Sequence, residues 1–289
     1  MSQSIFPTCQ IGDFQVTALS DGTMSVSLDL LGGIETADAC DIQHRAGIRD
    51  AGQIHINAYL VRGQGRTVLV DAGTGGANNA GGDLLRNLSA IGVRAGEIDT
   101  VLLTHGHPDH LGGLLNLKGE RAFTHAQLYI HPREAAYWTD DAMMAQGNER
   151  QKRNFHLARA TFAAYAEQLH YLGEGDAIVG IAPVELPGHT PGHTGFRIDG
   201  ADNSLLIWGD IVHFPHIQSA RPAVSIAFDG DPVLAQQTRE AIMAQASRYH
   251  WLVAGMHFGK PGFAHVYATD KGYQLVFVDA QTEGDFSRR

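Results

Sequence analysis

The chain has 289 residues, enough for one large domain or two small ones with a sizeable buried core. Hydrophobic residues make up 44%, which excludes a disordered chain, and no apolar run is long enough to span a membrane. A net charge of −10 disfavours nucleic-acid partners, because an acidic surface repels phosphate backbones; a small-molecule substrate stays open.

The first residues, Met1 to Pro7, have neither a basic n-region nor an apolar h-region, so a cytoplasmic protein is expected. Cys9 and Cys40 stand outside any C-x-x-C pair, and two thiols in a reducing compartment are expected rather than a disulfide framework. Strands are predicted at Phe14 to Leu19, Ile54 to Val61 and Arg66 to Val70, the last after the Gly63-Gln-Gly65 turn. Between them, residues 28–52 read as a long irregular segment, and a loop of that length is expected to act as a lid. A helix follows over Gly82 to Ile91, with Leu84, Leu85, Leu88 and Ile91 on one face. Asp99 to Leu103 and Gln127 to Ile130 are short buried strands; Arg133 to Ala145 and Glu149 to Tyr171 read as helices. Strand material runs from Ala177 to Leu186. Thr194 to Ile198 and Ser204 to Trp208 form a hairpin around Asp199-Gly200. Asp231 to Tyr249 is a helix, and Trp251 to Ala254, Ala264 to Ala268 and Tyr273 to Val278 are late strands. This order suggests two similar halves within residues 1–289, sheets inside and helices outside, with active groups on loops at strand ends.

The chain carries 16 histidines, and several cluster. His105-Gly-His107-Pro-Asp109-His110 follows directly on the apolar run Val101-Leu102-Leu103. His105 and His107 can point to one side of an extended segment, and Asp109 and His110 follow where the chain turns into a helix. Three imidazoles and a carboxylate packed this closely suit zinc, iron or manganese. Crowded histidines at the end of a buried strand would be costly without a metal. Three further strand-end features stand beside this run: His189 in Pro187-Gly-His-Thr-Pro-Gly-His-Thr194, Asp210 in Trp208-Gly-Asp210, and His257 in Ala254-Gly-Met-His-Phe-Gly259. Each is weak alone, but in this order they are hard to obtain by accident.

The series His105/His107/Asp109/His110, His189, Asp210, His257 resembles the metallo-β-lactamase-fold hydrolases, and Asp71 in Val68-Leu-Val-Asp71-Ala-Gly73 resembles that family's first motif. The resemblance runs from about residue 54 to 268. It implies a four-layer αββα sandwich with the site at the edge between its halves. It implies two divalent metal ions, zinc first, with manganese, iron or cobalt as alternatives. One ion would take His105, His107 and His189, the other Asp109, His110 and His257, with Asp210 between them. Two such ions would supply an activated water as the nucleophile at neutral pH, with Asp109 or Asp210 receiving or orienting its proton. Asp71 and His193 are expected to hold ligands in place rather than bind metal. No Gly-x-Ser-x-Gly elbow offers a serine nucleophile.

Within the family the chain resembles the methyl parathion hydrolase and quorum-quenching lactonase branch. The stretches Thr104 to Gly113, Pro187 to Thr194, Gly209 to His213 and Gly259 to His265 carry this. Tyr137-Trp138 resembles the aromatic pair that this branch places near the substrate; helix packing is the alternative. Trp138, His213, Phe214, Phe258 and His265 are the expected pocket residues, with His216 a further candidate. Redox members carry a glutamate where His107 stands. Glyoxalase II carries a helical glutathione-binding domain, whereas the residues after His257 read as strand. The expected enzyme is thus a dinuclear hydrolase of a lactone, aryl ester or phosphotriester, a homodimer by analogy. The alternative is a mononuclear iron thiol or persulfide dioxygenase using two histidines and an aspartate of the same set.

Overall fold

The computed structural model describes residues 6–173 and 179–278. Strands β1 (Thr8–Ile11) and β2 (Phe14–Ser25) open the chain. After the short β3 (Leu31–Gly32) and helix α1 (Thr36–Arg45), β4 (Gln53–Gly63) returns antiparallel to β2 and β5 (Arg66–Val70) pairs with β4. Helix α2 (Leu84–Ala90), β6 (Thr100–Leu102), helix α3 (Pro108–Leu111) and β7 (Gln127–Ile130) follow. Helices α4 (Pro132–Thr139), α5 (Asp141–Gln146) and α6 (Glu149–Ala164) lead to β8 (Leu169–Tyr171). These strands make a seven-stranded sheet in the order β1-β2-β4-β5-β6-β7-β8, parallel from β5 to β8.

The second sheet has six strands. It is built from β9 (Ile181–Glu185), β10 (Thr194–Asp199), β11 (Ser204–Ile207), β13 (Leu252–Ala254), β14 (Phe263–Ala268) and β15 (Tyr273–Phe277). Helix α7 (Pro215–Ala220), β12 (Ser225–Ile226) and helix α8 (Pro232–Arg248) lie between β11 and β13, and β12 pairs with β3.

Strand periodicity assigns the layers. On β5, Val68 and Val70 meet Phe196, Ile207 and Ala254 between the sheets, while Leu69 faces outward to Leu88, Leu111 and Phe162. On β11, Leu205 and Ile207 point inward and Leu206 points out to Ile242 and Met243 of α8. Central strands covered on both faces read as continuous apolar runs. The result is the four-layer αββα sandwich expected from the sequence. No helix among the described residues is long and apolar enough to cross a membrane.

Several elements differ from their predicted bounds. Residues 28–52 are not irregular: α1 buries Ala39, and Leu28, Leu31 and Ala39 pack with Phe214, Ile217 and Val224 in a satellite core. The helix expected over Arg133 to Ala145 breaks at Asp140, whose carboxylate accepts the Ala142 and Met143 N–H groups and starts α5. The helix expected to reach Tyr171 stops at Ala164, and the next residues become edge strand β8. Of the strand expected from Ala177, residues 177 and 178 lie outside the described residues. β2 runs on to Ser25 through a bulge between Ser20 and Gly22. The bulge turns Asp21 inward, where its carboxylate accepts the N–H groups of Thr74 and Leu84.

Candidate metal centre

The histidine and aspartate motifs all sit just beyond the carboxyl ends of strands, where an open α/β sheet leaves a crevice. β5 ends in Asp71, whose φ of +59° is an uncommon conformation for a non-glycine residue. Its Oδ1 accepts the Thr104 N–H at 2.8 Å, and its Oδ2 accepts the Thr104 hydroxyl at 2.7 Å and His110 Nδ1–H at 2.7 Å. Asp71 thus ties the end of β5 to the histidine loop after β6 and aims His110 Nε2 the other way. Pro108 starts α3 and needs no N–H partner there, so the chain turns at once and brings Asp109 and His110 round.

His189 lies on the β9–β10 loop. Its Nδ1 is 3.0 Å from Asp229 Oδ1. Gly188 has φ +126°, and a Cβ there would collide with the backbone of Ala235, so the loop reaches α8 only with glycine. Asp210 follows β11. Its N–H donates to His193 Nε2 at 2.9 Å, while His193 Nδ1–H donates to Leu186 O at 2.9 Å. His193 therefore positions Asp210 and has no nitrogen left over. His257 follows β13 and gives its Nδ1–H to His55 O at 2.6 Å.

Two donor groups result, one of His105, His107 and His189 and one of Asp109, His110, Asp210 and His257; the ligand atoms of each lie within 4.8 Å of one another. His107 Nδ1 is 2.9 Å from both His105 Nε2 and His189 Nε2. Asp210 Oδ2 is 3.7 Å from His105 Nε2, 3.5 Å from His189 Nε2, 3.2 Å from His110 Nε2 and 3.3 Å from His257 Nε2. It stands between the groups. His213 Nε2 also lies 3.2 Å from it, and His189, Asp210 and His213 form a third set of metal-compatible atoms.

The charge balance fits a cation. Burial pushes His105 and His107 well below the usual histidine range, so both are neutral with a lone pair to give. Burial also opposes a charge on His110, but the nearby Asp210, Asp109 and Asp71 carboxylates outweigh it and hold His110 well above that range. His257 is raised in the same way against burial, by Asp210 first. Burial alone would raise Asp210; His110, His257 and His213 hold it well below the carboxylate range instead. Burial brings His193 down to about 3, in keeping with a neutral ring that accepts the Asp210 N–H. Among the described residues six buried side-chain atoms have no hydrogen-bond partner, and two of them, His110 Nε2 and Asp210 Oδ1, belong to the second donor group. Buried polar atoms are normally satisfied, and a divalent ion held by nitrogen and oxygen donors satisfies both.

A cavity of about 530 Å³ opens onto His107, Asp109, Asp210 and His213. Its rim includes Met24, Ser25, Val26, Thr74, Ala77, Asn79 and Ala80; Gln43 and Ala46 to Asp50 border a different cavity, of about 560 Å³. That second cavity takes in His213, His216, Phe214 and Phe258. Phe214 is wholly buried under α1, and Phe258 packs edge-on against Trp208, so both pack as core while also bordering that cavity. Trp138 is buried with its ring edge-on to His107 at 5.5 Å and its Nε1–H on Glu134 at 2.6 Å. It borders a third cavity, of about 480 Å³. His265, expected in the pocket, borders none of these three cavities: it pairs with Leu252 at the start of β13, whereas His257 lies past that strand's other end.

Glu134 and Asp229 were not legible as site residues. Glu134 is fully buried. Its Oε1 accepts the Gly106 N–H at 3.0 Å and Trp138 Nε1–H; its Oε2 accepts the Thr190 hydroxyl at 2.7 Å and the Gly192 N–H at 3.0 Å. One carboxylate thereby links the loop of His105 and His107 to the loop of His189. A glutamate beside Ala135 and Trp138 on an apolar helix face was the available signal; Asp229, in a turn, offered none.

The profile of the Metallo-beta-lactamase superfamily matches residues 51–257. Two sequence relatives are YobT of Bacillus subtilis, an uncharacterised protein 28% identical over 54% of this chain, and a hydroxyacylglutathione hydrolase of Aeromonas hydrophila, 27% identical over 53% of it. The matches span 61% and 44% of those proteins. Among solved structures, the hydrolase AbOPH of the beta lactamase superfamily is 31% identical, with a TM-score of 0.87 over 96% of this chain and 99% of that one. AidC, a dizinc quorum-quenching lactonase solved with N-hexanoyl-L-homoserine, is 22% identical with a TM-score of 0.88 over 95% and 97%. With the profile covering most of the chain and its strand-end donors gathered at one seam, the protein belongs to the metallo-beta-lactamase superfamily.

Proposed function

We propose that the chain is a dinuclear metal hydrolase of a small ester-like substrate, a lactone, aryl ester or phosphotriester. One observation carries the reading: Asp210 Oδ2 lies within 3.7 Å of histidine nitrogens from both donor groups, as a shared ligand would. His105, His107 and His189 would hold one ion, and Asp109, His110 and His257 the other, zinc being the first candidate. Bound divalent ions would supply an activated water and polarise the acyl or phosphoryl oxygen.

The protein's own residues do the rest. Asp71, Asp229 and the His55 carbonyl each hold the outer nitrogen of a ligand imidazole, fixing its tautomer and aim. Asp109 keeps 16% of its side chain exposed and borders the 530 Å³ cavity, so its free carboxylate edge is the one placed to take a proton from a reacting water. Met24, Val26 and Phe228 give the cavity apolar walls, which receive the body of a small organic substrate and exclude bulk water.

The test is a panel of an acyl-homoserine lactone, an aryl ester, methyl parathion and a β-lactam, on protein of measured metal content. Turnover of one of the first three by protein with two ions per chain is expected. Turnover of the β-lactam alone would overturn the substrate class. One iron per chain with thiol-dependent oxygen uptake would replace hydrolysis by the dioxygenase reading.

A further inference from the structure

We propose that Arg150 and Asn154 form an anion-recognition subsite beside the metal centre, and that the ester this chain cleaves carries a carboxylate or comparable anion remote from the bond that breaks. The inference rests on the hydrolase reading and narrows its substrate class.

The metal cavity of about 530 Å³ and its neighbour of about 480 Å³ share four wall residues, His107, Arg150, Asn154 and Phe228. They are two lobes around one partition. Arg150 and Asn154 stand one turn apart on α6 and share a face. The Arg150 guanidinium lies over the Phe228 ring, 4.8 Å from its centroid. Phe228 in turn lies 5.9 Å from the His213 ring, whose Nε2 is 3.2 Å from Asp210. A continuous wall thus runs from the shared aspartate past one phenyl ring to the guanidinium. A substrate with its reacting carbonyl or phosphoryl group at Asp210 reaches Arg150 with its far end.

The polar groups at this spot are uncommitted. Arg133, the other cation bordering the second lobe, is spent on Glu185 at 2.7 Å. Among the described residues, Arg150 has no carboxylate partner and the Asn154 amide has no hydrogen-bond partner. The carboxylates around the lobes are engaged elsewhere. Asp109 and Asp210 face histidines, Asp229 holds His189, and Asp231 accepts the Leu234 N–H to cap α8. The contact with Phe228 holds the guanidinium over the ring and takes up none of its N–H donors, which can bind a carboxylate in bidentate fashion. An acidic protein of net charge −10 that keeps an unpaired guanidinium and a free amide on the wall of its metal cavity is built to accept an anion there.

The test uses two aryl esters of equal size, one with a carboxylate and one with a carboxamide at the end remote from the ester, on the metal-loaded enzyme and its Arg150→Ala and Arg150→Glu variants. Arg150→Ala is expected to lose about tenfold or more in kcat/KM, chiefly through KM, on the carboxylate ester and under about twofold on the carboxamide ester. Arg150→Glu should deepen the first loss. Metal content should be unchanged, since Arg150 is exposed and touches no donor. Equal losses on both esters, or no loss on either, would overturn the subsite and leave Arg150 a mere wall. Calorimetric binding of the uncleavable amide analogue of the carboxylate ester separates this from the hydrolase reading. If the wild type cleaves no ester, lactone or phosphotriester, that reading fails. An affinity for the analogue that drops about tenfold in Arg150→Ala still supports the subsite, and an unchanged or undetectable affinity removes it.

Discussion

Asp229 Oδ1 lies 3.0 Å from His189 Nδ1, and its other oxygen lies 3.7 Å from the guanidinium of buried Arg239. Arg239 also donates to the carbonyls of Ile211, Pro222 and Val224. Helix α8 therefore fixes His189, the candidate donor carried by the Gly-Pro loop between β9 and β10. Asp229→Asn keeps the shape but removes the charged acceptor that holds Nδ1–H and so leaves Nε2 free to bind a metal. Metal affinity at the three-histidine group should fall about 10- to 100-fold. Competition with a chromophoric chelator should show one weakened site per chain and one unchanged.

Glu134 accepts four hydrogen bonds and has no donor to receive it otherwise. Glu134→Gln turns one oxygen into an NH2 group facing two donors. Two buried donors left unmatched cost on the order of 2–6 kcal/mol. Thermal unfolding of the metal-free protein should fall by several degrees, and wild-type stability in the variant would show that the carboxylate does not brace the two ligand loops.

Asp210→Ala removes the carboxylate shared by both donor groups. The variant should lose one metal per chain by elemental analysis and nearly all turnover. Two retained ions with full activity would remove Asp210 from the bridging position.

In the metal-free protein His105 and His107 are already neutral at pH 7, whereas His110 and His257 are raised by the carboxylates around them. A proton bound to a raised histidine must leave before a metal can bind. Affinity at the Asp109/His110/His257 group should therefore fall as pH drops through a higher window than at the three-histidine group. Metal titration by calorimetry, in buffers of different ionisation enthalpy, should show proton release on filling the second group at neutral pH and little on filling the first.

Much of the site was legible because its chemistry is local. His105 to His110 follow one buried strand, and the spacing of histidines and aspartate within that run already specifies a metal-binding loop. His189, Asp210 and His257 stood out only as members of an ordered series at strand ends. Their roles depend on two sheets meeting, which no local pattern states. The pocket residues were the least legible. Phe214 and Phe258 have an apolar character that suits a pocket wall and a core alike, and only the structure shows that they pack under α1 and against Trp208 while bordering the second cavity. His265 carries a reactive side chain at the wrong end of its strand pair, and register alone reveals that.

Sequence alone pointed to the fold family and to the histidines and aspartates that the fold gathers, because metal-compatible residue types, strand periodicity and glycine turns are written in consecutive residues. Only the tertiary structure decided what holds and surrounds those donors. Glu134, Asp229 and Arg150 lie far along the chain from the histidines they brace or accompany, and the packing of α4, α6 and the turn before α8 against the sheets brings them there. A ligand is recognised by its own chemistry; a brace or a pocket wall is defined only by what packs against it.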